Sequence, residues 1–319
     1  MRHDNVHNRG GSAVAAAVSV TGLTKRFGTR TAVDDLSVEL PSGVVAGFVG
    51  PNGSGKTTTM AMLLGLVRPT AGSGTVLGSS IEHPAGYLHR VGALIESPAF
   101  YPSLSGAENL RMFATVAGHP TAPIPALLDR VGLEGRGDDR YRHYSLGMKQ
   151  RLGIAAALLG DPDLLILDEP ANGLDPDGVR EMRSIIAGLA DGRRTVLVSS
   201  HDLSELEHVC DWLVLIEGGR SLFQGPTREL LDGAAGGLAV VAERPDDHLA
   251  LFDLLVSRGD EVEAEDGRLV VRTDGAVVGD LAASVNRAAF DAGIVLAELS
   301  PLRTTLEDRY LSLVHGGAL

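Results

Sequence analysis

Four short runs along the chain carry no charge, at residues 44–49, 164–167, 195–199 and 213–216. Each reads as a strand buried on both faces, the pattern typical of parallel sheets. Between them, residues 57–67, 149–159 and 179–190 repeat apolar side chains at helical spacing. Strands alternating with helices predict an α/β core around a mainly parallel sheet.

The pattern changes at Gly225-Pro226. Beyond it, a strand (238–243), a helix (246–257) and a strand (261–265) are expected, then a turn at Asp266-Gly267 and a strand (268–272). A helix (277–289), a strand (294–299) and a last helix (304–314) follow. The order β-α-β-β-α-β is that of a ferredoxin-like unit, so residues 226–319 are expected to form a small α+β accessory domain. Residues 1–17 read as a loose polar tail, in which His3 and His7 are bystanders rather than metal ligands.

Charge narrows the classes of function. The chain of 319 residues holds 28 Lys and Arg against 41 Asp and Glu, a net charge of −13, and −9 of it lies in residues 226–319. Such a balance disfavours a nucleic-acid track, which needs basic surface to meet phosphates. No run of about 18 apolar residues is present, and the first ten residues lack the apolar segment of a signal peptide. The lone Cys210 cannot form an intrachain disulfide. The expectation is a cytoplasmic protein that reaches a membrane only through partners.

The first uncharged run leads directly into Gly50-Pro51-Asn52-Gly53-Ser54-Gly55-Lys56-Thr57-Thr58, which fits G-x-x-x-x-G-K-[ST] and opens a helical segment. The glycines let successive N–H groups turn into one concavity that binds phosphate oxygens, and the helix adds its positive dipole end. Lys56 can reach the β- and γ-phosphates, and the Thr57 hydroxyl can ligate Mg²⁺. The second uncharged run ends in Asp168-Glu169-Pro170, with Asp168 112 residues after Lys56. Adjacent strand residues point opposite ways, so the two carboxylates can divide their work. Asp168 suits Mg²⁺, a hard cation, and Glu169 suits a general base that polarises water.

With these motifs in this order, residues 18–225 resemble the nucleotide-binding domain of an ATP-binding-cassette (ABC) ATPase. The resemblance implies a P-loop NTPase core, a helical subdomain at about 96–160, ATP and Mg²⁺ as ligands, and hydrolysis catalysed by Glu169, His201 and Lys56. Tyr144-Ser145-Leu146-Gly147-Met148-Lys149-Gln150 resembles the family's signature. Leu146 and Met148 depart from its common wording, whereas Ser145 and Gly147, which contact the phosphate of ATP held by the opposite subunit, remain. Leu174-Asp175 resembles the loop that crosses the dimer interface, and Ser200-His201 the switch histidine. Phe27, 23 residues before Gly50, stands where the family stacks an aromatic on adenine, although a core Phe reads as well there.

Glu96 occupies the position where most of the family carries Gln. With Thr57 and Asp168 it is expected on the Mg²⁺, where its charge binds the ion more tightly, but that charge is repulsive beside Glu169 and the γ-phosphate. Glu96, the segment 97–110 and the wording at 305–311 resemble a narrower branch, the bacitracin-export, lantibiotic-immunity and drug-resistance ATPases. The resemblance implies a second ATPase subunit, expected to be an identical copy, and a separate membrane permease contacted near residues 96–109. It implies export of a hydrophobic or peptide-like compound from the cytoplasmic face. A soluble ABC-type switch or regulatory ATPase is the alternative; the single cassette and the acidic balance weigh against it. The C-terminal domain is expected either to regulate closure or permease contact, or to act as a scaffold.

Overall fold

The computed structural model describes residues 16–96, 99–232, 236–265, 267–273, 278–302 and 305–316. The tail with His3 and His7, the pair Ser97-Pro98 and the turn residue Asp266 lie outside them. The chain divides into two compact units, Met1–Thr227 and Arg228–Leu319.

The first unit runs β1 (Ala16–Phe27), β2 (Arg30–Pro41), β3 (Val45–Val49), α1 (Lys56–Leu63), β4 (Ala71–Val76), β5 (Ser79–Ser80) and β6 (Val91–Leu94). It continues with α2 (Gly106–Ala117), α3 (Ile124–Arg130), α4 (Leu146–Ala157), β7 (Leu164–Leu167), α5 (Pro176–Leu189), β8 (Thr195–Ser200), α6 (Leu203–Leu206), β9 (Trp212–Glu217) and β10 (Arg220–Pro226). Six strands in the order β10-β9-β3-β8-β7-β6 form the main sheet. It is parallel except for the edge pair of β10 with β9. Every residue of β3, β7 and β8 is buried, as uncharged central strands require.

A second, antiparallel sheet, β2-β1-β4-β5, was not foreseen from the uncharged runs. Its long strands alternate buried and exposed residues, with Val18, Val20, Leu36, Val38 and Leu40 turned into the core beside Phe48 and Met60. β1 starts at Ala16 and Ala17 is fully buried, so the sheet takes in the last residues assigned to the tail. Helix ends follow local chemistry. Ser105 and Glu108 form a capping box on α2, Ser145 caps α4, and Asp175 caps α5 just before Pro176. α1 stops at Leu63, short of the expected 67, because Gly65 turns left-handed at φ +68°. α2 packs on α3 and α4 to form the helical part of this unit.

The second unit is built from α7 (Thr227–Asp232), β11 (Gly236–Ala242), α8 (His248–Ser257), β12 (Glu261–Glu265), β13 (Arg268–Thr273), α9 (Val278–Asp291), β14 (Leu296–Leu302) and α10 (Leu306–Gly316). Its sheet, β12-β13-β11-β14, is antiparallel throughout. α8 and α9 cross over one face onto a core of Leu238, Val240, Leu251, Leu255, Leu269, Val271 and Val285. This is the ferredoxin-like arrangement of the β-α-β-β-α-β order.

Among the described residues, one of five buried side-chain atoms without a partner lies beside an apolar void. Thr59 on α1 is 3% exposed, and its hydroxyl has no hydrogen-bond partner beside a void lined by Val18, Phe48, Leu63 and Leu197. Thr59→Val removes that desolvated hydroxyl and is expected to stabilise the first unit by about 1 kcal/mol. Urea unfolding followed by the fluorescence of Trp212, the sole tryptophan, measures it; a loss of stability contradicts it.

Candidate active site

β3 ends at Val49 and the chain then folds around its own lysine. A Cβ on Gly50 would stand 2.1 Å from the Ile216 carbonyl oxygen, so this first turn has room for glycine only. Gly55 sits at φ +106°, where a Cβ would also meet the Ala32 carbonyl at 2.6 Å. Pro51, Asn52 and Gly53 are exposed, Ser54 is buried, and Ser54 N–H donates to the Pro51 carbonyl at 3.1 Å. Thr58 lies partly exposed in the first turn of α1. Lys56 is 5% exposed. Its Nζ donates to the Gly50 carbonyl at 2.7 Å and lies 3.1 Å from Glu169 Oε1.

Parallel pairing brings the acidic residues to the same edge. β7 lies beside β8, which lies beside β3, so their carboxyl ends emerge together. Asp168, 5% exposed, accepts from Thr57 Oγ1 at 2.8 Å on one carboxylate oxygen and from Ser199 Oγ at 2.6 Å on the other. Glu169 does not diverge from Asp168 by strand alternation, as the sequence suggested. β7 has already ended at Leu167, and Glu169 takes φ +48°, a left-handed conformation uncommon for this residue type. That twist points its carboxylate at Lys56 and at His201, whose Nδ1 is 2.7 Å from Glu169 Oε2.

Lys56, Thr57, Asp168, Glu169 and His201 thus converge. Behind them, Ser200 Oγ donates to Glu205 Oε2 at 3.0 Å, and burial pushes the Glu205 carboxyl above its ordinary range. Sequence reasoning passed over Ser199 and Glu205. The signal for Ser199 was a hydroxyl inside an apolar strand two residues before His201.

The remaining expected residues fall elsewhere. Ser145 caps α4 through Met148 N–H at 3.2 Å, Gly147 lies in the same first turn, and Asp175 caps α5 through Gly178 N–H at 2.9 Å. Among the described residues, neither Ser145 nor Asp175 shares a hydrogen bond with the loop 50–57. Phe27 is 50% exposed at the end of β1, with Lys25 Nζ 4.9 Å from its ring centroid, and so is not a core residue. Glu96 is exposed at φ +57°, two residues past Leu94. Leu94 pairs with Leu167, so Glu96 leaves the sheet at the same edge as Glu169. Next to it, a cavity of about 470 Å³ opens between β6, α2 and α4, lined by residues including Ile95, Phe100, Phe113, His119 and Gly153.

A glycine loop wrapped around a buried lysine, with an acidic pair two strands away, defines an ATPase core of the P-loop class. A family model described as "ABC transporter" matches residues 33–172. The bacitracin transport ATP-binding protein BcrA of Bacillus licheniformis is 37% identical over 96% of this chain and 100% of its own length. The lantibiotic transport ATP-binding protein SrtF of Streptococcus pyogenes is 40% identical over 65% of this chain and 90% of its own. A solved ATP-binding subunit of an ABC transporter superposes with a TM-score of 0.60 at 29% identity, covering 67% of this chain and 91% of that one. The chain belongs to the ABC transporter ATPases, as an ATP-binding subunit whose characteristic activity is ATP hydrolysis coupled to transport. Among the described residues, no helix is long and apolar enough to cross a membrane.

The loop geometry carries a direct test. Gly50→Ala forces the 2.1 Å contact apart and is expected to lower stability by about 3 kcal/mol. It should also weaken ATP binding, because the N–H groups of the loop shift. Thermal melting with and without ATP reads both effects; a variant that melts and binds like the parent refutes the assignment.

Proposed function

We propose that this subunit hydrolyses ATP to power export of a hydrophobic or peptide-like antibiotic through a separate permease, to which it attaches at the cytoplasmic face of the membrane. The convergence of Lys56, Glu169 and His201 within 3.1 Å contacts at one sheet edge carries the hydrolytic half of this reading. The likeness to bacitracin transport proteins over both units supports the cargo class.

In this reading the loop N–H groups and Lys56 hold the β- and γ-phosphates, and Phe27 stacks on adenine. Thr57 and Asp168 are hard oxygen donors already 2.8 Å apart, a set that fits Mg²⁺. Bound there, Mg²⁺ neutralises phosphate charge. Glu169 accepts the proton of the attacking water, and His201 orients that water and donates to the γ-phosphate. Ser145, exposed, and Gly147, half-buried, lie at the start of α4 and serve the nucleotide of a second copy, with Asp175 on the crossing loop. This head-to-tail dimer completes two sites. The cavity beside Glu96 receives the permease, since it opens next to the residue best placed to report nucleotide state.

Glu169→Gln is expected to lower turnover by about 10²–10⁴-fold while ATP still binds. The assay is hydrolysis by the purified chain, alone and with its permease in lipid; turnover indifferent to both permease and Glu169 sinks the proposal. Glu96→Gln removes a negative charge from the same edge. Its expected outcome is a higher Mg²⁺ requirement together with faster turnover at saturating Mg²⁺, read from a Mg²⁺ titration; unchanged curves would leave Glu96 without a role.

A further inference from the structure

We infer that Ser199 is a positioning residue of the hydrolysis, a role that rests on the reading of Asp168 and Glu169 given above. Its side chain is fully buried at the next-to-last residue of β8, toward the site edge, and its one hydroxyl is used in both senses. The O–H donates to Asp168 Oδ1 at 2.6 Å, a short charge-assisted bond, so its lone pairs face the other way. There they accept the Glu169 N–H at 2.8 Å.

The second bond stands where the sheet ladder gives out. Asp168 N–H donates to the Leu94 carbonyl on β6 at 2.8 Å. The next N–H, that of Glu169, faces β8 and meets a side-chain hydroxyl instead of a strand carbonyl. At that point the backbone turns to φ +48°. A hydroxyl acceptor tolerates this turn because its lone pairs are not fixed to a strand direction.

β8 and the residue after it therefore grip Glu169 at two places. Ser199 holds its backbone, and His201, two residues further on, holds its carboxylate at 2.7 Å. Ser199 also ties that grip to Asp168, whose other oxygen belongs to Thr57. One oxygen atom thus links the Asp168 carboxylate to the backbone of Glu169. Misplacing a catalytic group by about 1 Å costs on the order of 10²-fold in rate, so loss of this oxygen should act on turnover rather than on nucleotide binding.

The experiment uses the purified full chain with ATP and Mg²⁺, comparing Ser199→Ala, Ser199→Thr, Glu169→Gln and the Ser199→Ala/Glu169→Gln pair. Ser199→Ala is expected to lower kcat at least tenfold, to leave KM for ATP within about twofold and to melt near the parent. Ser199→Thr keeps the hydroxyl and retains most of the rate. In the Glu169→Gln background, Ser199→Ala should cost several-fold less than in the parent, because the base is already gone and only the tie to Asp168 remains to be lost. A Ser199→Ala chain with parental kcat overturns the inference. So does a loss that multiplies undiminished onto Glu169→Gln, the mark of a general structural defect. Failure of the underlying reading looks different: parental turnover would then survive Glu169→Gln itself.

Discussion

Holding the Lys56 ammonium at 5% exposure costs several kcal/mol unless acceptors and an opposite charge meet it. The Gly50 carbonyl supplies one partner and Glu169 supplies the charge. For Glu169 to arrive, β7 must run parallel to β3 with β8 between them, and all three must end at the same edge. For the lysine to curl back over its own loop, Gly50 and Gly55 must be glycines, since a Cβ at either would collide with a backbone carbonyl. The buried, uncharged strands thus serve an electrostatic end. They place one cation and two carboxylates in a low-dielectric edge where their fields act strongly on phosphate.

The parts of this arrangement that depend on local pattern were legible in the sequence. Charge-free runs gave the central strands, and the glycine spacing gave the loop. The β-α-β-β-α-β order emerged within two or three residues at each boundary, for example 268–272 expected against Arg268–Thr273 observed. What depends on a neighbour from elsewhere in the chain was hidden. β1 and β2 mix charged and apolar residues in the alternation of a half-exposed sheet, and β4, the other partner of β1 and rich in Gly and Ser, has almost no apolar pattern.

The same limit applies within the site. Glu169 could be named from Asp-Glu after a strand, but its left-handed turn could not, because the N–H at that turn is held by a hydroxyl 30 residues away. Ser199 itself looks like strand filling until β7 is laid beside β8. Asp175 and Ser145 were legible as motif residues, yet their immediate work is helix capping, which any Asp or Ser before a helix performs. A motif names the residue types; only the pairing of strands says which atoms meet.

The start of α4 and the loop before α5 form a second packed group. A Cβ on Gly173 would meet the Leu146 side chain at 3.2 Å, and one on Gly147 would meet Leu174 at 3.7 Å, so the two segments lie against each other. Arg151 on α4 and Glu181 on α5 add an ion pair at 3.2 Å. Leu146 is still 48% exposed, which leaves an apolar edge beside the open N-terminus of α4. Through Asn172 and Ala171, the loop before α5 is also only a few residues from Glu169, and Asn172 N–H donates to the Glu169 carbonyl at 3.1 Å. Leu146 bears on Gly173, and that short loop is bonded to the backbone of Glu169. The two halves of the motif set, separate in their hydrogen bonds, are joined by packing across fewer than ten residues of chain.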